Sequence, residues 1–266
     1  MRLVPLGTNG YYPSHGRQTM SYLVLPDGGG ALLLDAGTGV ARLGEAPIQA
    51  LLQGAEILDL LLTHYHLDHV VGLSILPAVL DSLPVRIHAP GKPMVDADPA
   101  EALCRLIHPP LFPIPLTEFP MPVELERLTG ESATIAGLEV RLRRQEHPGG
   151  SLGVRLGDSL AYVTDTVADD ATVGFAAGVD LLLHEVWADA GDEAVGGHSA
   201  VDEVARIAVR AGVRRLMPVH HHPRRTWADL QTLAAELARR AQGVEVVLPE
   251  EGRVYEVGAG RPAQSP

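Results

Sequence analysis

The sequence predicts an α/β protein, of the α+β kind, in which two β-sheets pack face to face and helices cover their outer sides. Three observations support this fold class. Short apolar strands alternate with helical segments along the chain, a pattern typical of layered architectures. Strands are concentrated in two successive halves, and each half carries its own helices. The 266 residues are 46% hydrophobic, which is enough for a substantial core and argues against disorder.

Each predicted strand of the first half is a short apolar run bounded by polar or turn-forming residues. These strands are Arg2–Leu6, Ser21–Leu25, Ala31–Asp35, Ile57–Thr63 and Val85–Ala89. A helix is predicted over about Val40–Gln53 and a shorter one near His69–Leu80. The proline-rich segment 90–122 predicts a long surface loop with one helix near Pro99–Ile107. This segment either forms a lid or pocket wall, or has a purely structural role.

The second half continues the alternation of strands and helices. An amphipathic helix is predicted over Ser199–Ala211, with Ser199 near its N-cap, and another helix over Thr226–Arg240. The predicted strands are Val123–Leu128, Leu138–Arg143, Ser151–Leu156, Leu160–Thr164, Asp180–His184, Arg215–Val219, Val244–Leu248 and Val254–Val257. We expect the functional chemistry where strand ends from the two halves meet.

Three imidazoles and one carboxylate lie close together in the segment Thr63-His64-Tyr65-His66-Leu67-Asp68-His69, at the end of a buried strand. A turn after a strand aims alternate side chains, His64 and His66, at one point. Asp68 and His69 then reach a second point nearby as the chain enters a helix. Imidazole and carboxylate together suit borderline divalent ions, of which Zn²⁺ is expected first, with Mn²⁺ or Fe²⁺ as alternatives.

Further ligands must come from distant parts of the sequence. His147, Asp165 and His220 each lie at or just after the end of a predicted strand, where ligands are expected. The Asp165 carboxylate can bridge two metal ions. His221 and His222 follow His220, so the register of this run is ambiguous, and the position at the strand end favours His220.

With these residues the chain resembles the metallo-β-lactamase fold superfamily of binuclear metallohydrolases. The resemblance implies a single domain over residues 1–266 with a four-layer αββα sandwich. It also implies that His64, His66 and His147 hold one metal ion, that Asp68, His69 and His220 hold the other, and that Asp165 and a hydroxide bridge them. The matching residues, in chain order, are His64, His66, Asp68, His69, His147, Asp165 and His220.

The same resemblance implies hydrolysis, with the bridging hydroxide as the nucleophile. Asp68 is expected to orient or deprotonate the water. Asp35, in Leu-Leu-Asp-Ala-Gly, either supports a ligand histidine or caps the next turn.

Two further segments are similar to the His-Glu-Ala-Thr and His-Ser-Thr segments of ribonuclease Z and its phosphodiesterase relatives. They are Leu183-His184-Glu185-Val186-Trp187, after a strand, and Gly197-His198-Ser199-Ala200, at the start of a helix. The resemblance implies that Glu185 orients His198 and that His198 protonates the leaving alkoxide as the general acid. An alkoxide leaving from phosphate needs such an acid more than the thiolate of a thioester does.

These residues predict a hydrolase of a small or cyclic phosphodiester. The alternatives are a thioester, lactone or other carboxylic-ester hydrolase, and an armless ribonuclease Z-like nuclease. Bacterial short-form ribonuclease Z carries a transfer-RNA-binding arm between the residues that match His147 and Asp165. Here two predicted strands already fill that interval, which argues against processing of transfer RNA precursors.

The formal net charge of −12 disfavours a large RNA partner, although two divalent cations would attract a small phosphodiester. His15, Arg17, Arg224 and Arg225 are candidate phosphate contacts, with surface roles as the alternative. The one cysteine, Cys104, excludes an internal disulfide and a cysteine zinc site, and favours a cytoplasmic protein. No apolar stretch approaches the roughly 18 residues of a membrane helix. A homodimer is an open alternative, since no sequence feature reports an interface.

Overall fold

Two seven-stranded mixed sheets form the centre of the computed structural model, which describes residues 1–192 and 196–258. The remaining residues of the predicted 1–266 unit, 193–195 and 259–266, lie outside this description. The first sheet has the order β14-β1-β2-β3-β4-β5-β6, and its strands β3 to β6 run parallel. These strands are β1 Arg2–Gly7, β2 Ser21–Leu25, β3 Ala31–Leu34, β4 Leu58–Leu61, β5 Val85–Pro90, β6 Val123–Leu128 and β14 Tyr255–Glu256.

The second sheet has the order β13-β12-β11-β10-β9-β8-β7. Its strands β10 to β13 run parallel, whereas β7 to β10 form an antiparallel meander. The strands are β7 Ser132–Ile135, β8 Leu138–Gln145, β9 Ser151–Leu156, β10 Leu160–Val163, β11 Leu181–Glu185, β12 Arg215–Val219 and β13 Glu245–Val246. Each sheet therefore contributes a block of parallel strands whose carboxyl ends lie at one edge.

Helices cover the outer face of each sheet. Four short helices pack on the first sheet: α1 Ala46–Leu51, α2 Leu67–Val70, α3 Leu76–Val79 and α4 Pro99–Leu106. Three helices pack on the second: α5 Ala171–Phe175, α6 Val201–Ala211 and α7 Trp227–Arg240. The predicted fold class, two sheets face to face between helical layers, is confirmed.

The central strands are buried on both faces, which explains their continuous apolar runs. In β4, Leu60 packs in the outer core of the first sheet and Leu61 packs between the two sheets. Successive side chains of a strand point to opposite faces, so both must be apolar. Burying one such leucine stabilises the fold by about 1.5–3 kcal/mol.

Several local predictions were wrong, mostly where proline or glycine interrupts a helical pattern. The predicted helix over about Val40–Gln53 is a 3₁₀ turn, Thr38–Gly44, followed by α1, and the two are separated by the extended residue Glu45. The helix predicted near His69–Leu80 is likewise split into α2, a 3₁₀ turn Val71–Ser74, and α3. In both places proline occupies the first turn of the second helix, where it is tolerated.

Ser199 is not the N-cap of α6. Its hydroxyl donates a hydrogen bond to the Thr166 carbonyl at 2.7 Å, and the helix begins after Ala200. The Glu203 carboxylate accepts a hydrogen bond from the Ala200 amide at 3.1 Å, so a side chain from within the helix satisfies its start. Strand β7 and helix α5 were not predicted.

The proline-rich segment contains α4, as predicted, and a 3₁₀ turn, Leu116–Glu118. Its apolar residues Leu103, Phe119 and Met121 are buried in the outer core of the first sheet. This packing favours a purely structural role for the segment.

Within the described residues, no helix is both long enough and apolar enough to cross a bilayer.

Candidate metal centre

The carboxyl ends of the parallel strands in the two sheets converge on one cluster of histidines and carboxylates. The segment after β4 supplies His64 to His69, and Asp165 and His220 follow β10 and β12. Strand carboxyl ends are the usual place for ligands in open α/β sheets, because loops there leave side chains free of the ladder. His147 enters from the loop between β8 and β9.

The first group of ligand atoms is rich in imidazole. It comprises His64, His66, His147 and Asp165, whose ligand atoms all lie within 4.8 Å of one another. His64 is buried, His147 is half-buried and His66 is exposed. His147 Nε2 lies 3.1 Å from His66 Nδ1, so their nitrogens converge from two separate loops.

The second group is buried and combines a carboxylate of its own with two imidazoles. It comprises Asp68, His69 and His220, again with ligand atoms within 4.8 Å. His220 Nε2 lies 3.3 Å from Asp68 Oδ2 and 3.3 Å from Asp165 Oδ1. His69 Nε2 lies 3.0 Å from Asp165 Oδ2. Asp165 therefore faces both groups, in the position expected of a shared ligand.

The histidine pKa values in the two groups are shifted in opposite directions. Burial and the neighbouring imidazoles lower the pKa of His64 well below its usual value, and burial also lowers the pKa of His66 and His147. In the second group burial favours neutral imidazole, but Asp165 and Asp68 outweigh it and raise the pKa of His220 to about 10. The imidazoles of the first group are thus neutral, which is the form that binds metal. In the second group the carboxylates favour a positive charge beside them, from a proton or a cation.

The donors present fit divalent cations. Among the described residues, the buried ring nitrogens His64 Nε2 and His69 Nε2 make no hydrogen bond. Both face the Asp165 carboxylate, at 3.9 and 3.0 Å. Orphaned buried nitrogens beside a carboxylate are costly unless a cation or proton lies between them. Imidazole and carboxylate together are the donor set of borderline divalent metals.

Asp35 holds the second group from behind. It is fully buried, and its carboxylate accepts hydrogen bonds from the Thr63 amide at 2.7 Å and the Tyr162 hydroxyl at 2.8 Å. Its Oδ2 also lies 2.8 Å from His69 Nδ1. This contact leaves His69 Nε2 directed toward the cluster, as a supporting carboxylate does for ligand histidines. Of the two roles predicted for Asp35, the structure supports the contact with a histidine.

The loop Gly7-Thr8-Asn9-Gly10 approaches the cluster. The Tyr11 amide donates a hydrogen bond to Asp68 Oδ2 at 2.6 Å. A Cβ atom at Gly10 would lie 2.4 Å from the His220 ring, so glycine is required for this close approach. The His220 run has the predicted register, because His221 and His222 lie outside both groups.

A histidine–glutamate pair lies beside the second group. His198 Nδ1 is 2.7 Å from Glu185 Oε2, and Glu185 is fully buried at the end of β11. The other carboxylate oxygen of Glu185 accepts a hydrogen bond from the Thr166 amide at 2.7 Å. His198 also shares a potential ligand cluster with Asp165 and His220. The structure thus brings together every metal-site and catalytic residue that the sequence predicted, and their roles remain predictions.

The predicted phosphate contacts are less well placed. The Arg17 guanidinium is buried and donates to the Asn9 side chain at 2.7 Å and to the Arg225 carbonyl. Arg225 is bound to Asp189 at 2.9 Å and to the Trp187 carbonyl at 2.9 Å. Both arginines therefore hold loops together. His15 and Arg224 are exposed.

Three supporting residues were missed by the sequence analysis. Tyr162 reaches Asp35 from the second sheet, Trp187 stacks on His198, and Glu251 binds the Gly7–Gly10 loop. Tyr162 and Glu251 act over long sequence separations, so no local pattern could have revealed them. Trp187 lies two residues after Glu185, and an aromatic residue next to a motif was the available signal.

Comparison with known proteins agrees with this architecture. The sequence profile described as the beta-lactamase superfamily domain matches residues 31–221. A ribonuclease Z of Salinispora arenicola is 26% identical over an alignment that covers 94% of this chain and 94% of that protein.

Solved structures agree as well. The metallo-β-lactamase fold protein YhfI of Bacillus subtilis has a TM-score of 0.75 and 21% identity, and the match covers 97% of this chain and 99% of that one. A structure described as a new diphosphatase from the PhnP family has a TM-score of 0.66 and 18% identity, over 96% and 97% of the two chains.

Proposed function

Because the chain belongs to the beta-lactamase superfamily, we propose that it is a binuclear metal-dependent phosphodiesterase that hydrolyses a small or cyclic phosphodiester. The observation that carries this proposal is the Glu185–His198 pair, 2.7 Å apart beside the metal centre. A buried carboxylate that fixes one ring nitrogen leaves the other nitrogen free to deliver a proton. That device suits a poor leaving group such as an alkoxide.

The two ligand groups support the following proposal for the metal positions. His64, His66 and His147 would hold one ion, and Asp68, His69 and His220 the other. Asp165 would be shared, since it lies within 4 Å of a histidine in each group. Zn²⁺ fits this mixture of donors, with Mn²⁺ or Fe²⁺ as alternatives. When bound, two divalent ions lower the pKa of a water molecule and neutralise the charge that develops on phosphate.

Of the two roles expected of Asp68, orienting or deprotonating the attacking water, the surroundings of its carboxylate favour the orienting role. Its carboxylate is held by the Tyr11 amide at 2.6 Å, which fixes its direction. The neighbouring histidines hold the pKa of Asp68 well below its usual value, against the effect of burial. Asp68 is therefore ionised near neutral pH and able to accept a hydrogen bond from water.

His198 acts as the general acid. Glu185 holds Nδ1, so Nε2 carries the proton that passes to the leaving oxygen as the phosphorus–oxygen bond breaks. Glu185 is itself fixed by the Thr166 amide, so the loop after β10 helps to position the pair. A positioned acid of this kind contributes about 10²–10⁴-fold.

Three further observations bear on the substrate. The first favours cleavage at phosphorus, and the other two favour a small molecule over a long polyanion. The relatives include a ribonuclease Z and a diphosphatase, and both names denote cleavage at phosphorus. The interval between His147 and Asp165 is filled by β9 and β10. The net charge of −12 would repel a long polyanion, although a local cation pair attracts a single phosphate.

The test is turnover by metal-loaded protein on bis(p-nitrophenyl) phosphate and on 2′,3′-cyclic nucleotides. Parallel assays use a thioester, a lactone and a transfer RNA precursor. We expect turnover of the phosphodiesters, and a loss of about 10²–10⁴-fold on the cyclic nucleotide in His198→Ala. The matched control is His108→Ala, an exposed loop histidine outside the ligand groups, which should retain activity.

Turnover of the thioester or lactone alone, with full activity in His198→Ala, would instead identify a carboxylic-ester hydrolase. Efficient processing of the RNA precursor would favour the armless ribonuclease Z-like alternative.

A further inference from the structure

The imidazole of His198 lies flat against the indole of Trp187. The two ring centroids are 4.5 Å apart and the planes differ by 15°. The His147 ring lies 5.5 Å away at 56°, and the His220 ring 5.3 Å away at 27°. Of the rings in contact with His198, the indole is the closest and the most nearly parallel.

The other contacts of His198 leave its orientation incompletely fixed. The hydrogen bond to Glu185 anchors Nδ1 but permits the ring to rotate about the line that joins Nδ1 to the carboxylate. The chain enters His198 through Gly196 and Gly197, whose φ angles are 76° and 83°. Glycine restricts the backbone least, so these residues contribute little to holding the side chain.

Trp187 is itself anchored on both sides. Its amide donates a hydrogen bond to the Ser199 carbonyl at 3.0 Å, directly after His198 in sequence. Its carbonyl accepts a hydrogen bond from the Arg225 guanidinium at 2.9 Å. Arg225 is in turn bound to Asp189 at 2.9 Å. These bonds fix the Trp187 backbone, and the indole itself also contacts the His222 and His220 rings, with centroids 4.6 and 5.4 Å away. The imidazole therefore rests against a ring that is packed from other sides.

We propose that Trp187 is a positioning residue that holds the His198 imidazole in the orientation that directs Nε2 at the leaving group. This inference rests on the proposed function, since it assigns His198 the role of general acid. Trp187 makes no contact with the reacting atoms in this account. It acts by restricting rotation of the ring, and its loss reduces the fraction of time that the acid is aligned.

The experiment compares Trp187→Ala, Trp187→Leu and Trp187→Phe on two substrates of unequal leaving groups. The 2′,3′-cyclic nucleotide releases a ribose alkoxide and needs the acid, whereas bis(p-nitrophenyl) phosphate releases a stabilised phenolate and needs it little. We expect Ala and Leu to lower kcat on the cyclic nucleotide by about 2- to 13-fold, the range that one aromatic ring pair supplies. KM and the kcat for the phenolate substrate should change little, and Phe should restore most of the loss.

The second tryptophan provides the matched control. Trp227 is 42% exposed at the first turn of α7, so Trp227→Phe should leave both activities unchanged. A second readout is independent of turnover. In the ¹H NMR spectrum, the indole ring current should shift the His198 ring protons upfield in the parent and in Trp227→Phe, and this shift should be lost in Trp187→Leu.

Failure of the inference and failure of the proposed function give different results. If His198→Ala loses the cyclic nucleotide activity selectively but the Trp187 variants do not, the positioning role is overturned and the general acid stands. If His198→Ala shows no selective loss, the general acid is wrong and the inference falls with it. An equal loss on both substrates in Trp187→Leu would show a structural role and would also overturn it.

Discussion

The two halves of the metal centre are built in different ways. The imidazole-rich half, His64, His66 and His147, grades from a buried residue to an exposed one and comes from two loops. The carboxylate-rich half, Asp68, His69 and His220, is buried throughout and is contacted by residues from distant parts of the chain. Each half takes two side chains from the 64–69 run and one from a distant loop, so the halves differ in burial and in the residues that support them.

The difference in burial has an energetic consequence. Buried carboxylates and imidazoles must be paired, because an unpaired buried charge costs several kcal/mol. The supports of the carboxylate-rich half therefore contribute to folding as well as to metal binding. The exposed end of the imidazole-rich half can lose a ligand without disturbing the fold. Variants that separate folding from metal binding test this distinction.

The largest expected effect is that of Asp35→Asn. The Asp35 carboxylate accepts hydrogen bonds from Thr63 and Tyr162 and contacts His69, and an amide places a donor against these donors. We expect the free energy of unfolding to fall by about 3–5 kcal/mol, the usual cost of breaking a buried pair. Urea unfolding measures the loss, and elemental analysis should show reduced metal content.

The control for this variant is a second buried aspartate–histidine pair. Asp59 Oδ1 lies 2.7 Å from His88 Nε2 on the same sheet, and neither residue belongs to the ligand groups. Asp59→Asn should destabilise the protein but leave its metal content unchanged. If both variants lose metal equally, metal loss follows from general destabilisation, and the special role of Asp35 is wrong.

The second prediction compares one histidine from each half in metal-free protein. His69 is fully buried against Asp35, so His69→Ala should lower the free energy of unfolding by about 2–4 kcal/mol. His66 is exposed, so His66→Ala should change it by less than about 0.5 kcal/mol. Both variants should bind less metal. Equal destabilisation by His69→Ala and His66→Ala would show that the two halves do not differ in their contribution to folding.

The candidate ligands could be predicted from the sequence more completely than the residues that support them. The run from His64 to His69 could be recognised because its residues are close together in sequence and follow a largely apolar strand. His147, Asp165 and His220 are readable because each ends a strand. The resemblance to the metallo-β-lactamase fold superfamily, based on these residues, is confirmed by the profile match and the structural neighbours.

Other features depend on contacts that no local pattern encodes. Tyr162 reaches Asp35 across the gap between sheets, and Glu251 reaches Thr8 from the other end of the chain. Ser199 was predicted near the N-cap of α6 and directly precedes it, but its hydroxyl binds the Thr166 carbonyl instead of capping the helix. Side-chain preference is a weak guide when a neighbouring loop offers a better partner.

The third prediction concerns pH and the metal-free protein. Asp165 and Asp68 raise the pKa of His220 to about 10, from an unfolded value near 6.5. The stabilisation that its proton provides is therefore complete below about pH 6.5 and is lost as the pH rises through about 10. We expect the free energy of unfolding to fall between these values by up to about 1.4 kcal/mol per pH unit.

The metal-loaded protein is the control for this pH dependence. Metal ions replace the proton, so the alkaline fall should be much smaller when they are bound, and binding at pH 8 should release protons that a pH indicator detects. His64 shows the opposite sign, since its lowered pKa removes stability as the pH falls below about 6.5. An identical alkaline fall in metal-free and metal-loaded protein would contradict the assignment.

The smallest expected effect is that of Glu251→Gln, which tests how far the supports of the carboxylate-rich half extend. The buried Glu251 carboxylate accepts hydrogen bonds from the Thr8 and Gln18 amides at 3.1 and 2.9 Å, and lies 3.0 Å from the Arg42 guanidinium. It therefore holds the loop whose Tyr11 amide reaches Asp68. We expect a loss of about 1–2 kcal/mol in the free energy of unfolding.

Glu250, the preceding residue in the sequence, provides the control for Glu251→Gln. Its carboxylate is about half exposed and pairs with Arg253 on the surface, so Glu250→Gln should change stability by less than about 0.5 kcal/mol. If the loop positions Asp68, Glu251→Gln should also weaken metal binding in a competition with a chelator, and Glu250→Gln should not. Unchanged metal affinity in Glu251→Gln would confine the supports of the carboxylate-rich half to residues that touch the ligands directly, such as Asp35.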